Sequence, residues 1–193
     1  MSNTPPCPKA LMGTPLSVDE VKNLVVEVKK LNQHVLRIQK NNPVGKHLQL
    51  PKTPTILTES LVYYLVLKKK ILPELNFTEL KFNEKSAKHE GTRKGNTDLI
   101  AIVKKKEYLI EVKGTRKPSQ FTQFSEKDIQ ADCAIWIDYG NTFLQNQSCV
   151  EVAVIKNPKS VGLKAKKYTW TSKSFTDLKV PIMSFNSIEA MIN

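Results

Sequence analysis

Two short apolar segments, residues 98–103 (DLIAIV) and 108–113 (YLIEVK), constrain this chain more than any other feature, because only Lys104, Lys105, Lys106 and Glu107 separate them. Each has the length and apolar character of a strand, and so few polar residues between them predict a hairpin. Either a two-residue turn at 105 and 106 or a four-residue loop at 104–107 sets Asp98 opposite Lys113 and Ile100 opposite Glu111. Side chains alternate faces along a strand, so Asp98, Ile100, Glu111 and Lys113 then share one face, with the three charges at the open end. Leu99, Ala101, Val103, Ile110 and Val112 make the other face apolar, and Ile100, Ile102 and Leu109 are apolar neighbours on the charged face. Charges in such surroundings are costly unless they pair or hold a metal. An odd-length loop would flip one strand and scatter the cluster.

Diagonal neighbours on one sheet face stand roughly 7–8 Å apart at Cα, near enough for two carboxylates to share an ion. Hard oxygen ligands such as Asp98 and Glu111 suit Mg²⁺, which polarises a phosphate and lowers the pKa of a bound water. Lys113 would add positive charge beside the metal, positioning the water or stabilising the transition state of phosphodiester hydrolysis. The plainer alternative is that Asp98 caps the strand entry while Glu111 and Lys113 form an ordinary half-exposed edge.

Charge points to the partner. Thirty Lys and Arg against eighteen Asp and Glu give a formal net charge of +12, a field that concentrates polyanions. Nucleic acid is the expected partner, with Arg93, Lys94, Arg116, Lys117, Lys164, Lys166 and Lys167 as expected contacts. Trp136, Tyr139, Tyr168 and Trp170 are candidates to stack on bases, although Trp136 suits the core of an apolar strand. With 40% hydrophobic and 25% charged residues, the composition excludes disorder and fibrous repeats. Cys7, Cys133 and Cys149 are odd in number and lack zinc-site spacing, which predicts a reducing compartment. No segment approaches the ~20 apolar residues of a membrane span, and the amino terminus has no export signal. A soluble cytoplasmic chain without membrane contact is expected. A phosphate-cradling Walker loop is absent, and His34, His47 and His89 have no catalytic spacing.

Residues 1–16 carry four prolines and read as a loose arm or a strapped-down tail. Ser17 and Glu20 form a capping-box pattern that starts a helix over 18–40. Val21, Leu24, Val28, Leu31, Val35 and Ile38 line one stripe of it, suited either to the chain's own domain or to a second subunit. A linker over 41–54 leads to a second helix, from 53–55 to about Leu72, which Pro73 stops. That helix is apolar almost all round, so Glu59 within it is either functional or a first-turn glutamate favoured by the helix dipole. Strands are expected at 77–82, in the hairpin, and at 133–139 and 149–155, with a partly helical stretch over 114–130. The fold class is therefore α/β, a central mixed sheet of about five strands flanked by helices, with a helical segment over 17–49 and the main domain over 50–193.

The run Gly95-Asn96-Thr97-Asp98, twelve further residues, then Glu111-Val112-Lys113-Gly114 resembles the signature of the PD-(D/E)XK nuclease superfamily, with its restriction-endonuclease-like fold. With the surrounding order of helix, strand, hairpin, helix and strand, the resemblance covers about residues 53–139. It implies Asp98 and Glu111 as Mg²⁺ ligands and Lys113 as catalytic lysine, with Glu59 matching the first-helix glutamate of many members. Gln120 or Gln123 would match an accessory glutamine, and Thr97 replaces the motif's proline. The implied activity is metal-dependent endonucleolytic cleavage of double-stranded DNA, of the type II restriction kind first. A Holliday-junction resolvase comes second, since Ile110-Glu111-Val112-Lys113 followed by Thr115-Arg116-Lys117 is similar to those enzymes too. A basic DNA-binding module that has lost catalysis is the third reading. Cutting both strands is simplest for a twofold homodimer.

Overall fold

The computed structural model describes residues 14–42, 48–83, 97–116, 123–144, 149–165 and 170–193. The capping box at Ser17 forms as expected, its Oγ accepting from Glu20 N–H and its N–H donating to Glu20 Oε2. It starts α1 (Val18–Asn41), whose buried side chains are Val21, Val25, Val28 and Asn32. The stripe thus lies on the chain's own domain, rotated from the one expected, and Leu31 is 50% exposed. Both stripes share Val21 and Val28, and spacing alone cannot tell whether Leu24 or Val25 turns inward. Leu16 is strapped to the next helix, its N–H donating to Ser60 Oγ and its carbonyl accepting from Tyr64 Oη–H.

Helix α2 (Thr55–Leu67) buries Leu57, Leu61, Val62, Leu65 and Val66, as an all-round apolar helix must. It ends five residues short of the expected Leu72. Lys69 adopts a positive φ of 57°, Lys70 N–H reaches Leu65 O at 2.9 Å and Lys69 N–H reaches Val66 O at 3.0 Å. This is a Schellman ending with lysine where glycine is usual, so the sequence carried no stop signal. The chain then returns Ile71 and Leu72 to the core.

Among the described residues the sheet has six strands in sequential order: β1 (Glu79–Phe82), β2 (Leu99–Val103), β3 (Lys106–Thr115), β4 (Cys133–Asp138), β5 (Val150–Lys156) and β6 (Ile182–Phe185). β3 and β4 are parallel and every other pair is antiparallel. β6 was not expected, because its four residues are at most half-buried and show no clean alternation. One sheet face, with Leu99, Ala101, Ile110, Val112, Ile135 and Val152, packs in one core with residues of α1, α2 and α4 (Ile188–Ile192). The other face, through Trp136, Ala153 and Ile155, meets Phe124, Trp170 and Phe175, the last on α3 (Ser172–Asp177). Trp136, Tyr139 and Trp170 are therefore core residues and not base-stacking platforms; Trp170 stacks on Phe175 at 5.3 Å. No helix among the described residues is long and apolar enough to cross a membrane.

The hairpin forms in a register two residues away from the expected one. Lys104 and Lys105 hold φ of 49° and 64°, the positive values of a tight primed turn, and Val103 pairs with Lys106. Asparagine or glycine would have marked that turn, whereas lysine does not. A slip of two keeps every side chain on its face, so the charged cluster survives the correction.

Gly114 lies where β3 crosses α2, and a Cβ there would stand 2.9 Å from Thr58 Oγ1 and 3.1 Å from Thr58 Cγ2. Thr58 is buried and its Oγ1 accepts a 3.0 Å hydrogen bond from Tyr139 Oη–H, so it cannot swing aside freely. Gly114→Ala is expected to destabilise the fold by about 1–3 kcal/mol through overpacking. Urea denaturation measures it, and an unchanged midpoint would refute the close approach.

Candidate active site

Glu111 sits in the middle of β3 with only 2% of its surface exposed. Its register partner in β4 is Ala134, and its side chain projects to the sheet face away from α1 and α2. Two residues on, Lys113 points to the same face. Lys113 Nζ lies 2.5 Å from Glu111 Oε1 and 3.1 Å from Asp128 Oδ2.

Asp98 stands just before β2, where the ladder breaks. Its N–H reaches Ile110 O at 3.2 Å, and its carboxylate Oδ2, in place of a backbone carbonyl, accepts the Val112 N–H at 2.7 Å. The side chain is thereby fixed beside β3 next to Glu111, instead of opposite Lys113 as the expected register had it.

Asp128 was missed in the sequence. It opens a 3₁₀ turn (Asp128–Gln130) in the crossover from β3 to β4 and is buried. Ser125 N–H donates to Asp128 Oδ2 at 2.7 Å and Asp128 N–H to Ser125 Oγ at 3.2 Å. The pattern Ser125-Glu126-Lys127-Asp128 is a reciprocal capping arrangement that was legible in principle. Asp128→Asn is expected to make Lys113 lose its proton at lower pH, because the amide cannot supply the charge. A Nζ-resolved NMR titration reads this directly, and an unmoved Lys113 would show that Asp128 has no hold on it.

The electrostatics follow from burial. Desolvation first, opposed by the Val112 hydrogen bond and Lys113, raises the Asp98 carboxyl to about 6. Desolvation and then the Asp98 charge raise Glu59, half-buried on α2, to about 7. Glu111 is pushed up by burial and by Asp98, against the pull of the adjacent ammonium. Burial alone would lower Lys113, but Glu111, Asp128 and Asp98 outweigh it and hold the ammonium above the usual lysine range. Among the described residues, Asp98, Glu111, Asp128 and Glu59 thus share one nearby ammonium. The cluster is short of positive charge.

Among the described residues no donor reaches the buried Glu111 Oε2, and the Asp98 carboxyl lies close enough to hydrogen-bond with Glu111 when one of the two is protonated. Such an orphaned acceptor costs about 1–3 kcal/mol unless something completes it. Among the described residues no three His, Cys, Asp or Glu side chains form a ready metal cage. Two carboxylates nevertheless suit Mg²⁺, which binds through one or two of them and keeps several waters. Asp98 with the free Glu111 oxygen fits that requirement.

Asp98 and Lys113 open into a cleft of about 1210 Å³ that also reaches Arg116, Thr53, Leu36 and Leu144. That exceeds the roughly 300–1,000 Å³ of small-molecule pockets. Arg116, expected as a surface DNA contact, is only 7% exposed. It donates from Nη1 to Asn32 Oδ1 at 2.7 Å and from Nη2 to the Pro51 carbonyl, tying α1 and the segment before α2 to the end of β3. Lys164 and Gln123 are exposed. Arg93, Lys94, Lys117, Gln120, Lys166 and Lys167 lie outside the described residues, as do Gly95, Asn96, Tyr168, Cys7, His47 and His89. No family model, curated protein or solved structure matches the chain.

Proposed function

We propose that this chain is a Mg²⁺-dependent endonuclease acting on double-stranded DNA, related in design to the PD-(D/E)XK enzymes its hairpin resembles. The observation that carries the reading is the pair of buried carboxyls, Asp98 and Glu111, in contact with each other, with one Glu111 oxygen that no described donor reaches, in a cluster short of positive charge. Asp98 and Glu111 would hold the ion. Bound Mg²⁺ would supply Lewis acidity toward a phosphate oxygen. Lys113, steadied by Glu111 and Asp128, offers a positive charge where negative charge develops on the phosphate. Glu59, close enough for Asp98 to raise it, can accept a proton near neutral pH. The net charge of +12 supports a polyanionic substrate, and a homodimer would align two such sites on opposite strands.

The test is incubation of the full chain with plasmid DNA and with a four-way junction, with and without Mg²⁺. Discrete plasmid fragments are the expected result and indicate restriction-type cutting. Paired nicks confined to the junction would redirect the reading to a resolvase. Tight DNA binding with no metal-dependent cleavage of either substrate would leave a non-catalytic DNA-binding module.

A further inference from the structure

Arg116 occupies an unusual place for a cation. It is buried and lines the cleft, and among the described residues its partners are a side-chain amide and a backbone carbonyl, with no carboxylate in an ion pair. Two of its five N–H donors are thereby used, and no carboxylate among the described residues compensates the charge. A buried charge of that kind is costly unless an opposite charge joins it.

Two independent features converge on the same wall. Thr53 lines the cleft, and its buried Oγ1 has no hydrogen-bond partner among the described residues. One residue later α2 begins at Pro54 with no side-chain cap, and Thr55 in its first turn also lines the cleft. An uncapped helix start presents unsatisfied N–H groups and the positive end of the helix dipole. Lys52 adds an exposed ammonium at the same wall. A hydroxyl donor, a helix start and a fork of guanidinium donors together suit the tetrahedral oxygens of a phosphate.

We infer that Arg116, Thr53 and the amino-terminal turn of α2 form a phosphate-binding subsite in the cleft that holds Asp98 and Lys113. Arg116 directly follows β3, three positions after Lys113, and its side chain turns toward α1 while both residues line the same cleft. The subsite therefore receives a second phosphate of a strand bound in that cleft, and in that role it deepens the nuclease reading: it grips the strand while the phosphate at Lys113 reacts. The anion site itself does not depend on metal or catalysis.

The experiment is titration of the ¹⁵N-labelled full chain with inorganic phosphate, without metal, following arginine Nε–H resonances. The chain has three arginines, Arg37, Arg93 and Arg116, so the signal is readily assigned. The Arg116 resonance and the Thr55 and Ile56 amides are expected to shift saturably and together. Thr53→Val, which leaves the Arg116 tie intact, should weaken phosphate by about threefold. Arg116→Lys, which keeps charge but loses the fork, should weaken it by about tenfold. If Arg116→Lys does not fold, Thr53→Val decides alone. Displacement of phosphate by a duplex lacking terminal phosphates identifies a backbone phosphodiester as the ligand. Displacement only by a 5′-phosphorylated duplex identifies a terminal monoester. An Arg116 resonance that does not move, or equal affinity in Thr53→Val and the unmodified chain, overturns the subsite. Phosphate binding here in a protein that cuts no DNA would overturn the nuclease reading and leave the subsite standing.

Discussion

Lys113→Ala is expected to lower Mg²⁺-dependent DNA cleavage by about 10²–10³-fold, the usual cost of removing one group aimed at developing negative charge. The ammonium is fixed from two sides, by Glu111 at 2.5 Å and Asp128 at 3.1 Å, so it has little freedom to be replaced by solvent. Its loss also leaves Asp98, Glu111, Asp128 and Glu59 without their shared cation, and breaking a buried pair from one side costs about 3–5 kcal/mol. A folding defect could therefore imitate a catalytic one. Asp98→Asn separates the two effects, because the amide oxygen still accepts the Val112 N–H that now bonds Asp98 Oδ2. That variant should fold and yet require far more Mg²⁺. Single-turnover cleavage across a Mg²⁺ series measures both. Unmodified rates in Lys113→Ala, or an unchanged Mg²⁺ dependence in Asp98→Asn, would remove these residues from the chemistry.

Much of the scaffold was legible because it rests on periodicity and capping. The two-residue alternation of 98–103 and 108–113 placed Leu99, Ala101, Ile110 and Val112 on one core face, where they lie. Ser17 and Glu20 gave the start of α1 to the residue. What stayed hidden shares a physical cause: backbone conformations with positive φ at lysine. The turn at Lys104 and Lys105 and the helix ending at Lys69 carry no glycine or asparagine to announce them. The site was legible as far as one hairpin could reach. Asp98, Glu111 and Lys113 come together through local pairing, whereas Asp128 arrives through the crossover to β4, which strand arithmetic does not describe. Arg116 shows the opposite failure. A basic tripeptide reads as a surface loop, but Asn32 and Pro51, far away in sequence, give the guanidinium polar partners inside the protein.

The largest effect on stability is expected at Glu111, and its sign depends on pH. Asp98 moves from 3.8 to about 6 and Glu59 from 4.5 to about 7, and burial raises Glu111 as well. The folded chain therefore binds these protons more tightly than the unfolded chain. Their stabilisation is complete below the unfolded values and is lost as pH rises through about 4 to about 7 and beyond. Metal-free protein should accordingly melt at lower temperature as pH increases across that window. Mg²⁺ needs the deprotonated carboxylates, so its stabilising effect should grow over the same range. Glu111→Gln removes one crowded charge and gives the position an amide that can donate to Asp98. At about pH 8 the metal-free variant is expected to melt on the order of 5 °C above the unmodified chain while losing the stabilisation by Mg²⁺. Both are read from thermal unfolding between about pH 5 and pH 9, with and without Mg²⁺. A stabilised, metal-indifferent Glu111→Gln would mean that this carboxylate is kept at a cost to the fold, the signature of a residue retained to hold an ion. A variant less stable than the parent without metal, or equally stabilised by Mg²⁺, would make Glu111 a structural partner of Lys113 and nothing more.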